Sequence, residues 1–203
     1  MAQLQTDITL PKPSTTGDKS LEQLLNQRRS VRDFQNREIS LAQLGQLLWA
    51  AQGITHPQGF RTAPSAGALY PLELYVVANK VKTLQAGVYH YHPHQHQLTE
   101  IRENDISKIL ARASYGQSSV RDAAAVIVFT AIYERTTVKY NKRGIRYTHI
   151  EAGHAAENLF LQAEALGLGT VVVGAFYDDE VRDVLRLPDN VNPLLLMPVG
   201  NKQ

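Results

Sequence analysis

The spacing of hydrophobic residues changes along the chain, and this change limits the possible fold more than any other feature. Leu44, Leu47 and Leu48 recur at helical spacing, on one face of a predicted helix. From Leu72 to Val77 the pattern alternates as in a strand, and Gly87 to His92 alternates too, before a turn and a returning strand. Helices followed by mixed strands and helices favour an α+β fold, with helices packed around a central sheet.

Two early helices carry the same start signal. Ser20 is followed three residues later by Gln23, and Ser40 by Gln43, so each pair can form a capping box. Gly53 is a favourable stop for the second helix. We therefore predict one short and one longer helix in the first quarter of the chain.

The first residues differ from the rest of the chain. Residues 1–19 contain Pro11, Pro13 and Gly17, which interrupt any regular pattern. We predict a flexible arm over 1–19 and a single domain over 20–203, because no repeat or linker follows.

Further elements are predicted in the second half. They are a helix capped by Asn104, a doubly covered strand at Val126–Phe129, a helix from His149 to Leu166, a strand at 170–173, and a helix opened by Asp178.

The composition excludes several function classes. The 203 residues include no cysteine, so thiolate metal sites, iron–sulfur clusters and cysteine nucleophiles are impossible. A net charge of +2 is too balanced to indicate a nucleic-acid binder. The apolar run from Ala123 to Phe129 is far shorter than the roughly 20 residues of a membrane helix. We expect a cytoplasmic protein with no nucleic-acid or membrane partner, whose redox chemistry would need a bound cofactor.

A basic cluster follows the first helix. Arg28, Arg29, Ser30 and Arg32 offer guanidinium and hydroxyl donors, which bind phosphate through charge-assisted hydrogen bonds. A solvated basic surface is the alternative interpretation.

A second polar segment lies some thirty residues on. Pro64, Ser65, Ala66 and Gly67 form a stiff turn of small residues, where bare backbone could lie against a flat ligand. A plain loop leading into a strand is the alternative.

Alternating histidines raise the question of a metal. His90, His92, His94 and His96 lie in and beside the predicted hairpin, and alternate strand residues share a face. Only Glu100 stands near them as a carboxylate, and turn histidines are usually solvated, so we predict no metal site.

Several segments resemble one enzyme family when taken in order. They are Arg28–Phe34, Ala63–Pro71, Tyr147–Leu159 and Ala165–Phe176, and they are similar to those of the nitroreductase-like FMN-dependent oxidoreductases. Within that family, Gly67–Leu74 and Val88–Pro93 resemble the SagB-type dehydrogenases, some of which oxidise peptide azolines. The Tyr70-Pro71-Leu72 step departs from the pattern of typical nitroreductases.

The resemblance implies a nitroreductase-like fold with a central mixed or antiparallel sheet, and a homodimer with FMN at the subunit interface. It also implies the cofactor contacts. Arg28 and Ser30 would hold the phosphate and ribityl chain with Arg29 alongside, and Lys202 would also reach the phosphate. Arg32 would lie beside N1 and O2 of the flavin ring. Pro64, Ser65 and Ala66 would lie against the ring, and Val173 and Gly174 would lie near N5. A fixed cation near N1 stabilises the negative charge of reduced flavin.

The resemblance also suggests catalytic residues. Lys139 and Tyr140 match a pair that assists proton removal in the azoline oxidases, and a buried lysine can act as a base; a solvated basic loop is the alternative. The expected function is FMN-dependent hydride transfer through flavin N5, like that of SagB-type dehydrogenases, on a small-molecule or peptide substrate. An NAD(P)H-dependent nitro or quinone reductase, with NAD(P)H as electron donor, and a non-catalytic flavin-binding or scaffold protein remain alternatives.

Overall fold

The computed structural model of the chain describes residues 7–203. One sheet of seven strands forms the centre, with the strand order β1-β6-β5-β3-β7-β9-β8, and every neighbouring pair in it is antiparallel. The seven strands are β1 (Asp7–Thr9), β3 (Leu72–Ala78), β5 (Gly87–His92), β6 (Gln97–Glu103), β7 (Ala125–Ala131), β8 (Leu168–Thr170) and β9 (Asn192–Asn201), while β2 (Ile39–Ser40) and β4 (Val81–Lys82) form a separate parallel pair.

Seven helices cover this sheet. They are α1 (Leu21–Gln27), α2 (Leu41–Gln52), α3 (Ser107–Ala113), α4 (Ser118–Asp122), α5 (Glu134–Tyr140), α6 (Arg143–Ala165) and α7 (Asp178–Leu185). The predicted α+β fold is confirmed. Across residues 7–203, none of these helices has both the length and the apolar character that crossing a membrane requires.

Side chains of alternate strand residues build two cores, one on each face of the sheet. Leu74 and Val76 of β3 point into a core shared with α2 and α6, whereas Tyr75 and Val77 point into a core shared with α3, α4 and α7. All seven residues of β7 are buried, as expected for a strand covered on both faces. Helix α6 spans 23 residues, or about 35 Å, and packs along α2.

The capping signals are confirmed. The hydroxyls of Ser20 and Ser40 each accept a hydrogen bond from the amide of the glutamine three residues on, and the side-chain oxygen of that glutamine accepts one from the serine amide. Gly53 caps the end of α2. Local signals of this kind need no tertiary information, which is why the sequence alone placed both helices.

Three other predictions were wrong. Asn104 does not cap α3; the carboxylate of Asp105 accepts the hydrogen bond of the Ser107 amide instead. The expected strand at 170–173 ends as β8 at Thr170. Helix α6 begins at Arg143 rather than near His149, because polar first turns carry no apolar period to reveal them.

The predicted arm is only partly irregular. Residues 1–6 lie outside the described part of the chain. Residues 7–9 pair with β6, and Leu10 is buried against the core, so the expectation of a loose segment was wrong there. The amide of Leu10 donates to the carbonyl of His96, a partner that lies far away in sequence.

Candidate functional site

The basic cluster runs along the edge of the sheet. Ser30 forms a parallel bridge with Thr170 of β8, and the amide of Val31 donates to the Thr170 carbonyl at 2.9 Å. Gly169 makes this close approach possible, since a Cβ atom there would lie 2.7 Å from Cγ1 of Val31. The position of the arginines therefore depends on a glycine more than one hundred residues away.

The members of the cluster have different partners. The Arg28 guanidinium lies 5.0 Å over the Phe160 ring, and its Nε atom is 3.7 Å from Oε1 of Glu157, both on α6. Arg29 turns back and donates to the carbonyls of Asn26 and Arg28, at the end of α1. Ser30 and Arg32 are exposed. Arg28, Ser30 and Arg32 thus leave donors for an anion, whereas Arg29 caps the helix end.

Lys202 reaches the same segment by another route. It forms an antiparallel bridge with Phe34, directly beyond the cluster. Its Nζ atom lies 2.5 Å from Oε2 of Glu164 near the end of α6, and Lys19 also donates to the Glu164 carbonyl. Lys202 is brought close to the basic cluster, but its charge is paired.

The second predicted segment forms a tight turn. Gly67 has a φ of 64°, and Ala68 and Tyr70 also have positive φ values, of 54° and 45°. The Ser65 hydroxyl accepts a hydrogen bond from the Tyr70 amide at 2.9 Å, which closes the turn. Pro64 is exposed, and Ser65 and Ala66 are half-buried, so backbone and small side chains face the surface here.

Lys139 and Tyr140 meet this turn from the last turn of α5. A Cβ atom on Gly67 would lie 2.9 Å from the Tyr140 hydroxyl and 3.0 Å from Nζ of Lys139. The Tyr140 ring packs edge-on against Tyr147 of α6, at a centroid distance of 5.1 Å. The structure therefore brings the predicted catalytic pair directly against the predicted ring-binding turn.

Val173 and Gly174 follow β8, three and four residues after the Thr170 that bridges Ser30. Val173 exchanges both backbone hydrogen bonds with Leu196 of β9, at 2.8 and 2.9 Å. Gly174 is exposed, and a Cβ atom there would meet nothing within 4 Å. Among residues 7–203, no hydrogen bond or ion pair joins this segment to the turn at Ser65.

One buried carboxylate at the site, that of Glu151, was not predicted from the sequence to be functional. Glu151 of α6 is only 2% exposed, and burial raises the pKa of its carboxyl to about 7, although the Ser65 hydroxyl and the Arg61 charge oppose the rise. Its neighbours Ala152 and Ala155 lie on the same apolar stripe. The sequence signal that could have identified Glu151 is a charged residue on the predicted buried face of the helix.

Arg61 connects this carboxylate to the turn. Its guanidinium lies 4.6 Å over the Tyr70 ring, and Nη1 donates to Oε1 of Gln52 at 2.7 Å. Burial lowers the pKa of Arg61, while the negative charges of Glu73 and Glu151 act against that change.

A further ionic chain leads away from the turn. Nη1 of Arg135 donates to the Tyr70 carbonyl at 3.1 Å and pairs with Oε1 of Glu73 at 2.6 Å, while Oε2 of Glu73 contacts Nε2 of His90, also at 2.6 Å. Burial acts to raise the pKa of Glu73, but the hydrogen bond from His90 and the Arg135 charge outweigh it, and the pKa is lowered.

Three of the four alternating histidines have a hydrogen-bond partner among the described residues. His90 contacts Glu73, His92 contacts the Thr99 hydroxyl at 2.9 Å, and His96 contacts the Tyr91 hydroxyl at 2.9 Å. In the described range, 7–203, no group of three or more histidine, aspartate or glutamate side chains is arranged to hold a metal ion.

Helix α6 sets the distance between the parts of the site. Ser65 lies beside Glu151, and Arg28 lies beside Glu157, six residues further along the helix. Six residues correspond to about 9 Å, and Glu164, the partner of Lys202, lies about 10 Å beyond. The turn and the basic cluster therefore contact α6 at points about 9 Å apart along the helix axis.

Comparisons with known proteins identify the family of the chain. The sequence profile described as Nitroreductase family matches residues 25–201. A protein of Methanocaldococcus jannaschii assigned to the nitroreductases is 47% identical over 182 residues, which cover 90% of this chain and 91% of that protein.

Two further similarities extend the comparison. The microcin B17-processing protein of Escherichia coli is 29% identical over 81% of this chain, which spans 63% of that protein's length. A crystal structure from Ralstonia eutropha, also assigned to the nitroreductases, has a TM-score of 0.85 at 32% identity and covers 97% of this chain and 90% of that one. The profile match over most of the chain and the shared fold show that this protein is an oxidoreductase that belongs to the nitroreductase family.

Proposed function

We propose that this oxidoreductase uses FMN and transfers hydride through flavin N5, in the manner of SagB-type dehydrogenases. One observation carries the proposal: Gly67 of the small-residue turn lies against Lys139 and Tyr140, with the basic cluster about two helical turns away along α6. The similarity to the microcin B17-processing protein supports the SagB-like branch.

The residues present fit this cofactor. Gly67 leaves a bare backbone surface that a side chain would fill, and Arg28, Ser30 and Arg32 present phosphate and oxyanion donors. FMN would supply the two-electron chemistry that the side chains of a cysteine-free chain cannot supply.

The remaining cofactor contacts are proposed from the resemblance to the family. We assign Arg28 and Ser30 to the phosphate and ribityl chain of FMN, with Arg29 and Lys202 in supporting positions. Arg32 is assigned to the N1–O2 edge of the ring. Pro64, Ser65 and Ala66 are assigned to the ring face, and Val173 and Gly174 to the N5 edge. The open space around Gly174 is compatible with close approach of a ring. The resemblance to the family implies a site completed by a second copy of the chain.

A homodimer is therefore part of the proposal. Large apolar side chains are exposed on helices that pack against one another: Leu21 and Leu25 on α1, Val138 on α5, and Ile145 and Ile150 on α6. Exposure reaches 82% at Val138. Exposed apolar area of this kind is typical of a protein–protein interface.

Light scattering tests the homodimer. We expect a dimeric wild type, and Ile150→Glu should shift it towards monomer with loss of bound flavin. The matched control Ile109→Glu, at an exposed isoleucine of α3, should stay dimeric. A wild-type monomer that retains FMN would refute this part of the proposal.

Within the site, we assign proton removal from the substrate to Lys139 and Tyr140. Lys139 is exposed beside the turn rather than buried, so a small-molecule or peptide substrate could reach it there. Lys139→Met and Tyr140→Phe should each lower substrate oxidation by about 100-fold or more while FMN remains bound, since general-base catalysis contributes roughly 10²–10⁴-fold. Equal loss of flavin and activity would contradict a catalytic role.

Flavin binding itself is tested by absorbance. Purified protein should be yellow, and Arg28→Ala should weaken FMN binding by about tenfold or more, because a hydrogen bond to a charged group contributes about 1.5–3 kcal/mol. The matched control is Arg112→Ala, at an exposed arginine of α3. Colourless protein that does not respond to FMN titration would refute the proposal.

The second candidate function is an NAD(P)H-dependent nitro or quinone reductase. The relative in Methanocaldococcus jannaschii, assigned to the nitroreductases, favours it. NADPH added under nitrogen would bleach the flavin rapidly in that case, and activity would not depend on Lys139. Bound FMN without turnover on a donor panel would instead indicate a non-catalytic flavin-binding protein.

A further inference from the structure

Behind the small-residue turn lies a group of buried and half-buried polar side chains that the proposed hydride transfer does not use. Gln52, Arg61 and Glu151 form this polar interior cluster, on three separate segments: the end of α2, the loop after it, and the middle of α6. Gln52 is 1% exposed and Glu151 is 2% exposed. Buried charged and amide groups are rare unless they are paired, so the cluster needs a reason.

The cluster is incompletely satisfied. Oε1 of Glu151, Nε of Arg61 and Nε2 of Gln52 are all buried without a hydrogen-bond partner in the protein. Each such atom typically costs about 1–3 kcal/mol. Three unpaired polar atoms in one cluster indicate a site that binds ordered water or changes its charge.

Its position connects it to the site. The Ser65 hydroxyl and the Arg61 charge both act on the Glu151 carboxyl, and Ser65 belongs to the turn assigned to the ring face. Arg61 also lies over the Tyr70 ring, at the end of the same turn. Charge placed on the other side of this turn would act on Glu151 across little intervening protein, where the effective dielectric constant is low.

The surrounding charged groups do not neutralise Glu151 in advance. Arg61 is the cation that acts on it directly, and Glu73, Arg135 and Tyr70 act in turn on Arg61. Arg135 is already paired with Glu73, so it is committed elsewhere. With a pKa of about 7, the Glu151 carboxyl changes between its charged and neutral forms near neutral pH.

We propose that Glu151 is the proton-holding residue of the site: its carboxylate takes up one proton from solvent when bound flavin is reduced, and it releases that proton on reoxidation. This inference rests on the proposed function. Reduction by hydride would add two electrons and one proton to bound FMN, and therefore one negative charge. The proton on Glu151 neutralises a second negative charge nearby, so the site gains no net charge.

The pH dependence of the flavin midpoint potential tests the inference. Each proton taken up changes a two-electron equilibrium tenfold per pH unit, or about 30 mV. Hydride chemistry alone predicts that the midpoint potential falls by about 30 mV per pH unit, whereas an additional proton on Glu151 predicts a fall of about 60 mV per pH unit. The range to measure is pH 7.5 to 8.5, because it lies above the pKa of about 7 that Glu151 has without the added charge. Glu151→Gln should restore about 30 mV, and Glu180→Gln, at an exposed glutamate of α7, should retain the wild-type slope.

The outcomes separate the two proposals. Wild-type protein with bound FMN and a slope of about 30 mV across this range overturns the inference and leaves the proposed function intact. Protein that retains no FMN overturns both.

A flavin-free measurement gives a second readout. Infrared spectra of apoprotein should show a protonated-carboxyl band that disappears between pH 6 and pH 8 and is absent in Glu151→Gln. A band that is identical in the wild type and the variant would also overturn the inference.

Discussion

Replacing Glu151 with glutamine should have little effect on the stability of the protein at low pH and should stabilise it at high pH. Glutamine keeps the shape of the neutral carboxyl but cannot ionise. Glu151 is buried on α6, so its ionised form has lost most of its contact with water. The variant therefore isolates the free-energy cost of the buried charge.

The magnitude follows from the pKa. Burial raises the pKa of Glu151 from 4.5 to about 7, and since one pKa unit corresponds to about 1.4 kcal/mol, the ionised group costs about 3 kcal/mol. A carboxyl whose pKa is raised by folding stabilises the protein fully below pH 4.5, and this contribution is lost as the pH rises through 7. Relative to the wild type, the free energy of unfolding of Glu151→Gln should therefore rise by about 2.5 kcal/mol between pH 5 and pH 9.

Urea unfolding of flavin-free protein at one protein concentration measures this difference. Both proteins are compared at pH 5, 7 and 9, because bound ligand or a change in assembly would shift the midpoint by mass action. Parallel stability profiles for the wild type and Glu151→Gln would refute the reasoning, since they would mean that the carboxyl titrates equally in the folded and unfolded states.

Three further substitutions test other contacts. Gly169→Ala places a methyl group 2.7 Å from Cγ1 of Val31, so unfolding should cost about 1–3 kcal/mol less and FMN retention should fall; unchanged urea midpoint and flavin content would contradict this. Gly67→Ala puts a side chain at a φ of 64°, next to the Lys139 amine and the Tyr140 hydroxyl. It should lower the free energy of unfolding by about 1–2 kcal/mol and turnover by roughly 10- to 100-fold, with flavin still bound. Normal turnover would show that the turn tolerates a side chain. Arg135→Met leaves the largely buried Glu73 without its cation and should cost about 1–2 kcal/mol in urea unfolding at pH 7, discounted for the partial exposure of the arginine; a loss below about 0.5 kcal/mol would mean that solvent already screens the pair.

Local signals predicted the elements that they control. The capping boxes at Ser20 and Ser40 placed α1 and α2 correctly, and alternation identified β3 and the β5–β6 hairpin, because capping and side-chain alternation depend on neighbours a few residues apart. Helix α5 escaped prediction. Its seven residues carry no apolar period and only one of them is buried, so tertiary contacts decide its conformation.

The candidate site shows the same division. The basic cluster and the small-residue turn could be named from the sequence, since their residue types already indicate an anion and a flat ligand. Their mutual distance could not, because it depends on which residues of α6 each one contacts.

By itself, then, the sequence determined the fold class, the ends of the early helices, and the need for a borrowed cofactor in a chain without cysteine. Only the tertiary structure decided that Lys139 meets Gly67 and that Glu151 is buried behind the same turn. The physical reason is that burial and contact depend on sheet order and helix packing, which bring together residues some seventy or eighty positions apart, whereas a capping or alternation pattern is complete within a few residues.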